Sequence, residues 1–386
     1  MLRLLFEIAK KKGSPLYIGF FDLEKAFDKV SRLLLLSKLI KLGIGSCMLK
    51  ALKSLYTSTF CILSTRDGTS KNFPTYTGIR QGASSSVYLF IIFIDDLINY
   101  LQVNCIEEPI IGIMHCLLHA DDTAVVSTRR DLFITKCNAI IKYFDENKLS
   151  LNMSKSAYMI INGGKKHPKV DIKLSNGMLS YKSSVVYLGS IISDTGNLKC
   201  DVRSYIESKR AHVTIKFNNF CRKNYLAPLD IKLKVLNACV TAALLYGCES
   251  WGNSIVPSVE SLYRLGIKYA LSIRPSINNE IVYMESDCLP LYIRVKKQQL
   301  RFWLNMHQIS QEDPENPISK LIIQGEALNL QYIKYYKELQ VMYQSPYKCY
   351  DHLKSDFIIT NKTKILQENE VSIFKLCILE TVSNCA

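Results

Sequence analysis

Apolar and polar positions alternate along this chain in stretches of two different periods, and the change from one to the other divides it. Leu2, Leu5, Phe6 and Ala9 recur at helical spacing until Lys10-Lys11-Lys12-Gly13 ends the segment. Residues 16–21 (Leu-Tyr-Ile-Gly-Phe-Phe) form a short continuous apolar run of strand length. Ser31 stands where a cap belongs before a buried helix over 31–42, stopped by Gly43, and a second helix follows over 46–56. Residues 59–80 alternate like a hairpin around Asp67-Gly68. Ser84-Ser85-Ser86 then caps one long apolar helix expected to reach about Leu101. Leu117 to Val126 reads as a second, tight hairpin, 131–147 as an amphipathic helix, and 157–162 and 184–192 as strands. From about 200 the pattern is helical: a basic amphipathic stretch over Asp201–Cys221, a largely buried helix over Ile231–Trp251, and helices over 257–273 and 289–308. The tail from about 313 carries Pro314 and Pro317 and no clear repeat. Strands mixed with helices early and helices alone later predict an α+β chain with boundaries near 192 and 310.

Composition narrows the partners. Lys and Arg total 49 against 34 acids, a formal charge of +15, which points to a polyanion and first of all to nucleic acid. Thirteen cysteines are scattered singly with no C-x-x-C pair, which argues against a disulfide framework and against zinc. They read as reduced core residues, Cys116 and Cys239 among them, in the nucleus or cytoplasm. No targeting signal is evident. The most apolar segment, Val87–Leu101, contains Asp95 and Asp96 and looks too short to span a bilayer, so no membrane partner is expected. No protein partner can be inferred.

Asp121 and Asp122 change the picture most. They sit between the apolar runs Leu117-Leu118 and Ala124-Val125-Val126. Adjacent carboxylates repel, and taking them out of water is costly unless they are paired or bound to metal. A turn that presents both to a divalent cation is the economical reading. Asp22, at the end of the 16–21 run, supplies a third acid, as two-metal phosphoryl transfer requires. Phe27 follows five positions later, either as a roof over the same site or as a core residue. Asp95-Asp96 is the same dipeptide in a helical context, where a cap or surface pair is expected.

Five strings occur in order: Phe21-Asp22-Leu23-Glu24-Lys25-Ala26-Phe27-Asp28, Gly78-Ile79-Arg80-Gln81-Gly82, Ala120-Asp121-Asp122, Leu151-Asn152-Met153-Ser154-Lys155 and Tyr187-Leu188-Gly189. Together they resemble the reverse transcriptases of LINE-type (non-LTR) retrotransposons over residues 17–192. Leu244–Trp251 and Leu289-Pro290-Leu291 extend the likeness loosely to about residue 310. The resemblance implies a palm-type polymerase core, an antiparallel sheet packed on helices with partial fingers, over 1–192. A helical thumb or connection would follow over 193–310, and a C-terminal helical tail over 311–386. It makes Asp22, Asp121 and Asp122 the ligands of two Mg²⁺ ions, with Mn²⁺ as the substitute. It makes Lys155 the general acid and Phe27 the gate against a ribose 2′-OH. Arg80, Gln81 and Gly82 would line the nucleotide and template pocket, and Tyr187, Leu188 and Gly189 would form the primer grip. RNA template, DNA primer and dNTPs are the implied partners.

Three features depart from the family pattern. His119 stands where an aromatic, commonly Tyr, is usual, and Val87 where proline is usual. The chain also starts just ahead of Asp22, so a 5′-truncated copy lacking finger segments and an endonuclease domain is the expectation. The expected activity is therefore RNA-directed DNA polymerisation. The alternative is a catalytically inactive remnant acting at most as a basic nucleic-acid-binding protein, and a group II intron maturase-like protein is the third, less favoured option.

Overall fold

A computed structural model describes residues 1–108, 111–112, 114–164, 166–250 and 256–367. The chain forms two compact units, one of Leu5–Leu188 with Ser193–Gly196, the other of Met1–Leu4, Gly189–Ile192 and the residues from Asn197 onward.

The first unit is built on a six-stranded sheet. Its strand order is Cys116–His119, Asp122–Ser127, Leu16–Phe21, Ala157–Ile161, Gly177–Tyr181, Ile172–Leu174. The sheet is mixed rather than wholly antiparallel, because Gly177–Tyr181 runs parallel to Ala157–Ile161. The last two strands of this order, Gly177–Tyr181 and Ile172–Leu174, are five and three residues long, too short to show a clear strand period in the sequence. Leu16–Phe21 is buried at every position, since both faces of a central strand are covered, and this explains its unbroken apolar run. The helix Arg130–Glu146 lies on one face, with the Phe133 ring over Gly19, where an added Cβ would sit 3.0 Å from that ring.

Ser31 caps the helix Arg32–Lys41 as expected, accepting from the Leu34 N–H at 3.5 Å. The hairpin around Asp67–Gly68 is present as short paired segments, Phe60–Cys61 with Phe73–Pro74 and Ser64–Thr65 with Gly68–Thr69. The long apolar helix is instead two helices, Ser86–Ile94 and Leu97–Asn104, and Ser85 makes no side-chain cap. Tertiary contacts gather at the interruption. Asp96 accepts from Lys38 Nζ at 2.8 Å and from the Tyr143 hydroxyl, anchoring the interruption to two other helices. By length and composition Ser86–Asn104 and Leu229–Ser250 could each cross a bilayer. Leu89, Phe90, Phe93, Ile94, Leu97 and Leu101 of the first stretch are part of the sheet unit's core.

From Leu198 onward every regular element of the second unit is a helix among its described residues. The expected 201–221 helix is continuous as Leu198–Ala211, a π-turn over His212–Phe217, and Asn218–Lys223. The stretch after Ile231 likewise contains a π-turn, Leu236–Thr241, and its helix ends at Leu245; Trp251 lies outside the described residues. The carboxylate of Glu260 accepts from the Leu291 and Tyr292 N–H groups at 3.1 and 3.0 Å, closing the positive end of the helix Leu291–Glu312 just after Pro290. The tail is helical through Gln367, and Leu339, Tyr343, Cys349 and Leu353 pack against Ile293 and Leu300 of that same helix. Cys239 is exposed and Cys116 half-buried, so not every cysteine in an apolar context is a core residue.

Candidate active site

The acid hairpin has a two-residue turn. His119 pairs with Asp122, leaving Ala120 and Asp121 at the tip. Ala120 adopts φ +51°, a conformation that costs a residue with a Cβ roughly 1–2 kcal/mol. On its far side Asp122–Ser127 pairs with Leu16–Phe21, matching Thr123 to Phe21. One step further along this antiparallel register sets Asp22 across from Asp122. The structure thus gathers acids separated by about a hundred residues at one end of the sheet. All three are half-buried. The Asp122 carboxyl is held above its usual range, by burial first and then by the charges of Asp121 and Asp22.

The fourth string is bound to the first. Beyond Phe21 the chain continues alongside residues 150–152: Glu24 N–H donates to Ser150 O, and Asn152 N–H to Asp22 O, both at 2.8 Å. The Asp22 N–H donates to Ser156 Oγ at 3.2 Å. This brings the exposed Lys155 ammonium to 3.8 Å from Asp22 Oδ2. The Asn152 side chain accepts from the Lys155 N–H at 3.2 Å and from Ser154 Oγ, which shapes the turn that carries the lysine.

Tyr187 lies against the same strands, its ring 5.1 Å from that of Phe20. Burial pushes its phenol up to about 12, with a further contribution from the Asp122 charge. Leu188 and Gly189 follow at φ +47° and +72°, so the expected 184–192 strand is two strands, Ser184–Tyr187 and Ser190–Ser193, with a turn between them.

Phe27 and the glycine loop form a second group, centred on Asp28. The half-buried Phe27 ring stacks on Phe90 at 5.0 Å, so it packs on the core with one side open. The Gly78 and Ile79 N–H groups donate to Val30 O and Phe27 O, both at 2.9 Å. Gly78 has φ +85°, and a Cβ there would lie 2.7 Å from Asp28 O. Its glycine therefore serves a close approach to the Asp28 backbone. Gln81 Nε2 donates to Asp28 Oδ1 at 3.0 Å, while Arg80 and Gly82 are exposed. Sequence reading missed Asp28 as the partner of Gln81; its place within the first string was the available signal.

The donors suit a hard divalent cation: three carboxylates, two of which raise the pKa of the third. They do not form a ready cage. Among the described residues no three His, Cys, Asp or Glu side chains stand close enough together to hold a metal ion.

Residues 2–192 match the family described as reverse transcriptase (RNA-dependent DNA polymerase). The chain is 25% identical over 268 residues to the retrovirus-related Pol polyprotein from type-1 retrotransposable element R2 of Popillia japonica. That match covers 65% of this chain, and the chain spans 41% of the relative's length. Solved structures with partial likeness include the apo telomerase of Candida tropicalis, with a TM-score of 0.39, 12% identity, and coverage of 80% of this chain and 54% of that one. Another is the telomerase of Candida albicans in complex with a TWJ fragment of telomeric RNA, with a TM-score of 0.34, 12% identity, and coverage of 87% and 51%. Residues 2–192 of the chain thus belong to the reverse transcriptases, and the relative they resemble is a retrotransposon polyprotein.

Proposed function

We propose that this chain is an RNA-directed DNA polymerase that adds deoxynucleotides to a primer 3′-OH at the sheet end bearing Asp22, Asp121 and Asp122. The observation that carries this reading is the register of the opening strand, which runs Asp22 up beside Asp122 with Asp121 on the adjoining turn. Mg²⁺ bound at these acids, with Mn²⁺ as the substitute, would lower the pKa of the primer hydroxyl and offset the charge of the triphosphate. The new bond joins the primer 3′-oxygen to the α-phosphorus as the bond to pyrophosphate breaks. Lys155, exposed beside Asp22, is the proton donor to that leaving group. Phe27, open on one side, screens the sugar 2′-position. Arg80, Gln81 and Gly82 face the incoming nucleotide and template, and Tyr187, Leu188 and Gly189 hold the primer end. Arg203, Lys209, Lys216 and Arg222 on the first helices of the second unit would follow the nucleic-acid backbone as a thumb.

The spacing of the acids favours a second reading, a non-catalytic remnant that binds nucleic acid through its excess positive charge. Primer extension by the purified chain on an RNA template, with dNTPs and Mg²⁺, separates the two. Incorporation that falls by at least about a thousandfold in Asp121→Asn supports the polymerase. Phe27→Ala should then raise ribonucleotide use. Template binding without incorporation supports the remnant.

A further inference from the structure

Arg32 lies outside all five strings, four residues beyond the end of the first. Its guanidinium engages more backbone than any motif residue described above. Nε donates to Gly78 O at 2.8 Å; Nη1 to Tyr56 O at 3.0 Å, Thr59 Oγ1 at 2.9 Å and Thr75 O at 2.8 Å; Nη2 to Thr77 O at 3.0 Å and Thr75 Oγ1 at 3.4 Å. The guanidinium carbon also lies 5.2 Å from the centre of the Tyr56 ring. One side chain at the start of the helix Arg32–Lys41 therefore ties together the end of the helix Ser46–Thr57, the base of the Phe60–Pro74 hairpin and the chain leading into Gly78–Gly82.

That chain has few other ties. Beyond the Thr59–Thr75 contacts that close the hairpin, Gly78 and Ile79 reach Val30 and Phe27 through one N–H each. Ile79 is buried, Ser86 Oγ donates to Arg80 O, and Gln81 rests on Asp28. A planar fork with donors on three nitrogens serves carbonyls that diverge from a single point. A lysine ammonium has at most three protons and no fork, and would leave several of these acceptors without a partner.

We infer that Arg32 is a positioning residue for nucleotide binding: it holds the Gly78–Gly82 loop against the Phe27–Asp28 turn, so that the loop is ready for an incoming deoxynucleoside triphosphate. This rests on the polymerase reading of that loop. Arg32 acts through the loop and does not touch the reacting atoms.

The test uses the full chain with Arg32→Ala and Arg32→Lys. In primer extension the dNTP KM should rise about tenfold, with kcat held within about twofold, and Arg32→Lys should resemble Arg32→Ala. Hydrogen exchange at the Gly78 and Ile79 amides should quicken by about tenfold or more, while the Tyr17–Phe21 amides keep their protection. If Arg32→Ala does not fold, Arg32→Lys carries both measurements. An unchanged KM, a loss confined to kcat, or exchange that quickens throughout the sheet overturns the inference. If the unaltered chain incorporates no nucleotide, the polymerase reading falls, and exchange alone judges the clamp: local quickening keeps it, and no change removes it.

Discussion

The acid hairpin treats negative charge in opposite ways at its two ends. At the tip, Asp121 and Asp122 stand half-exposed beside Asp22, and Asp122 is held above its usual range. At the base, Glu108 is buried yet falls below its usual range. Burial there works to raise it, but the Lys136 ammonium and hydrogen bonds from Lys136 and Thr128 outweigh that. Glu108 Oε2 accepts from both Thr128 N and Thr128 Oγ1 at 2.6 Å, and Lys136 also donates to Val126 O at 3.0 Å. His115, next to this pair and likewise buried, is pushed down to about 4 by burial and by Lys136, so it stays neutral. The base is an acid fully compensated from within the fold. At the tip Lys155 reaches only Asp22, at 3.8 Å, and the Asp122 carboxyl stays raised by burial and by its acidic neighbours. That contrast separates a neutralised carboxylate from one whose protonated form is favoured more sharply than sequence context does.

The largest expected effect is at the base. Lys136→Met strands a buried carboxylate and should cost about 3–5 kcal/mol of stability, read by urea denaturation. A loss below about 1 kcal/mol would put the pair in the class of solvent-screened surface bridges and erase the contrast. A smaller effect of opposite sign belongs to the tip. Ala120→Gly relieves the positive φ and should raise stability by about 1 kcal/mol. A destabilised variant would mean the turn relaxes in solution.

Smallest is the electrostatic effect at Asp122. An acid whose pKa is higher in the folded chain binds more protons folded than unfolded. Its contribution to stability is therefore greatest below the ordinary value of 3.8 and is lost as pH rises through the raised folded value. Asp122→Asn should flatten that part of the stability–pH curve and raise the melting temperature slightly at neutral pH without added metal. Added Mg²⁺ should raise the melting temperature of the unaltered chain more than that of the variant. Equal responses would detach Asp122 from cation binding.

Much of the candidate site could be read in the sequence because the chemistry proposed for it needs particular side chains at fixed local spacing. The Asp22–Asp28 string, the Asp121-Asp122 turn and the Asn152–Lys155 turn are each complete within a few residues. The residues that hold them together are not of this kind. Arg32 reaches carbonyls 24 to 46 positions away, and Glu108 and Lys136 are 28 apart. A lone arginine or glutamate in a sequence reads as surface until its partners are known. The polar partners of the interruption at Asp95–Asp96, Lys38 and Tyr143, likewise lie far off in the chain.

The sequence by itself determined which side chains could carry phosphoryl-transfer chemistry, the positive charge of the chain and most of its helices and strands, because these depend on residue type and near-neighbour spacing. Only the tertiary structure decided which acids meet and which are neutralised. It alone gave Gly78 its task of admitting the Asp28 backbone, and made the sheet mixed rather than antiparallel. These depend on strand register and long-range polar contacts, for which local periodicity carries no signal.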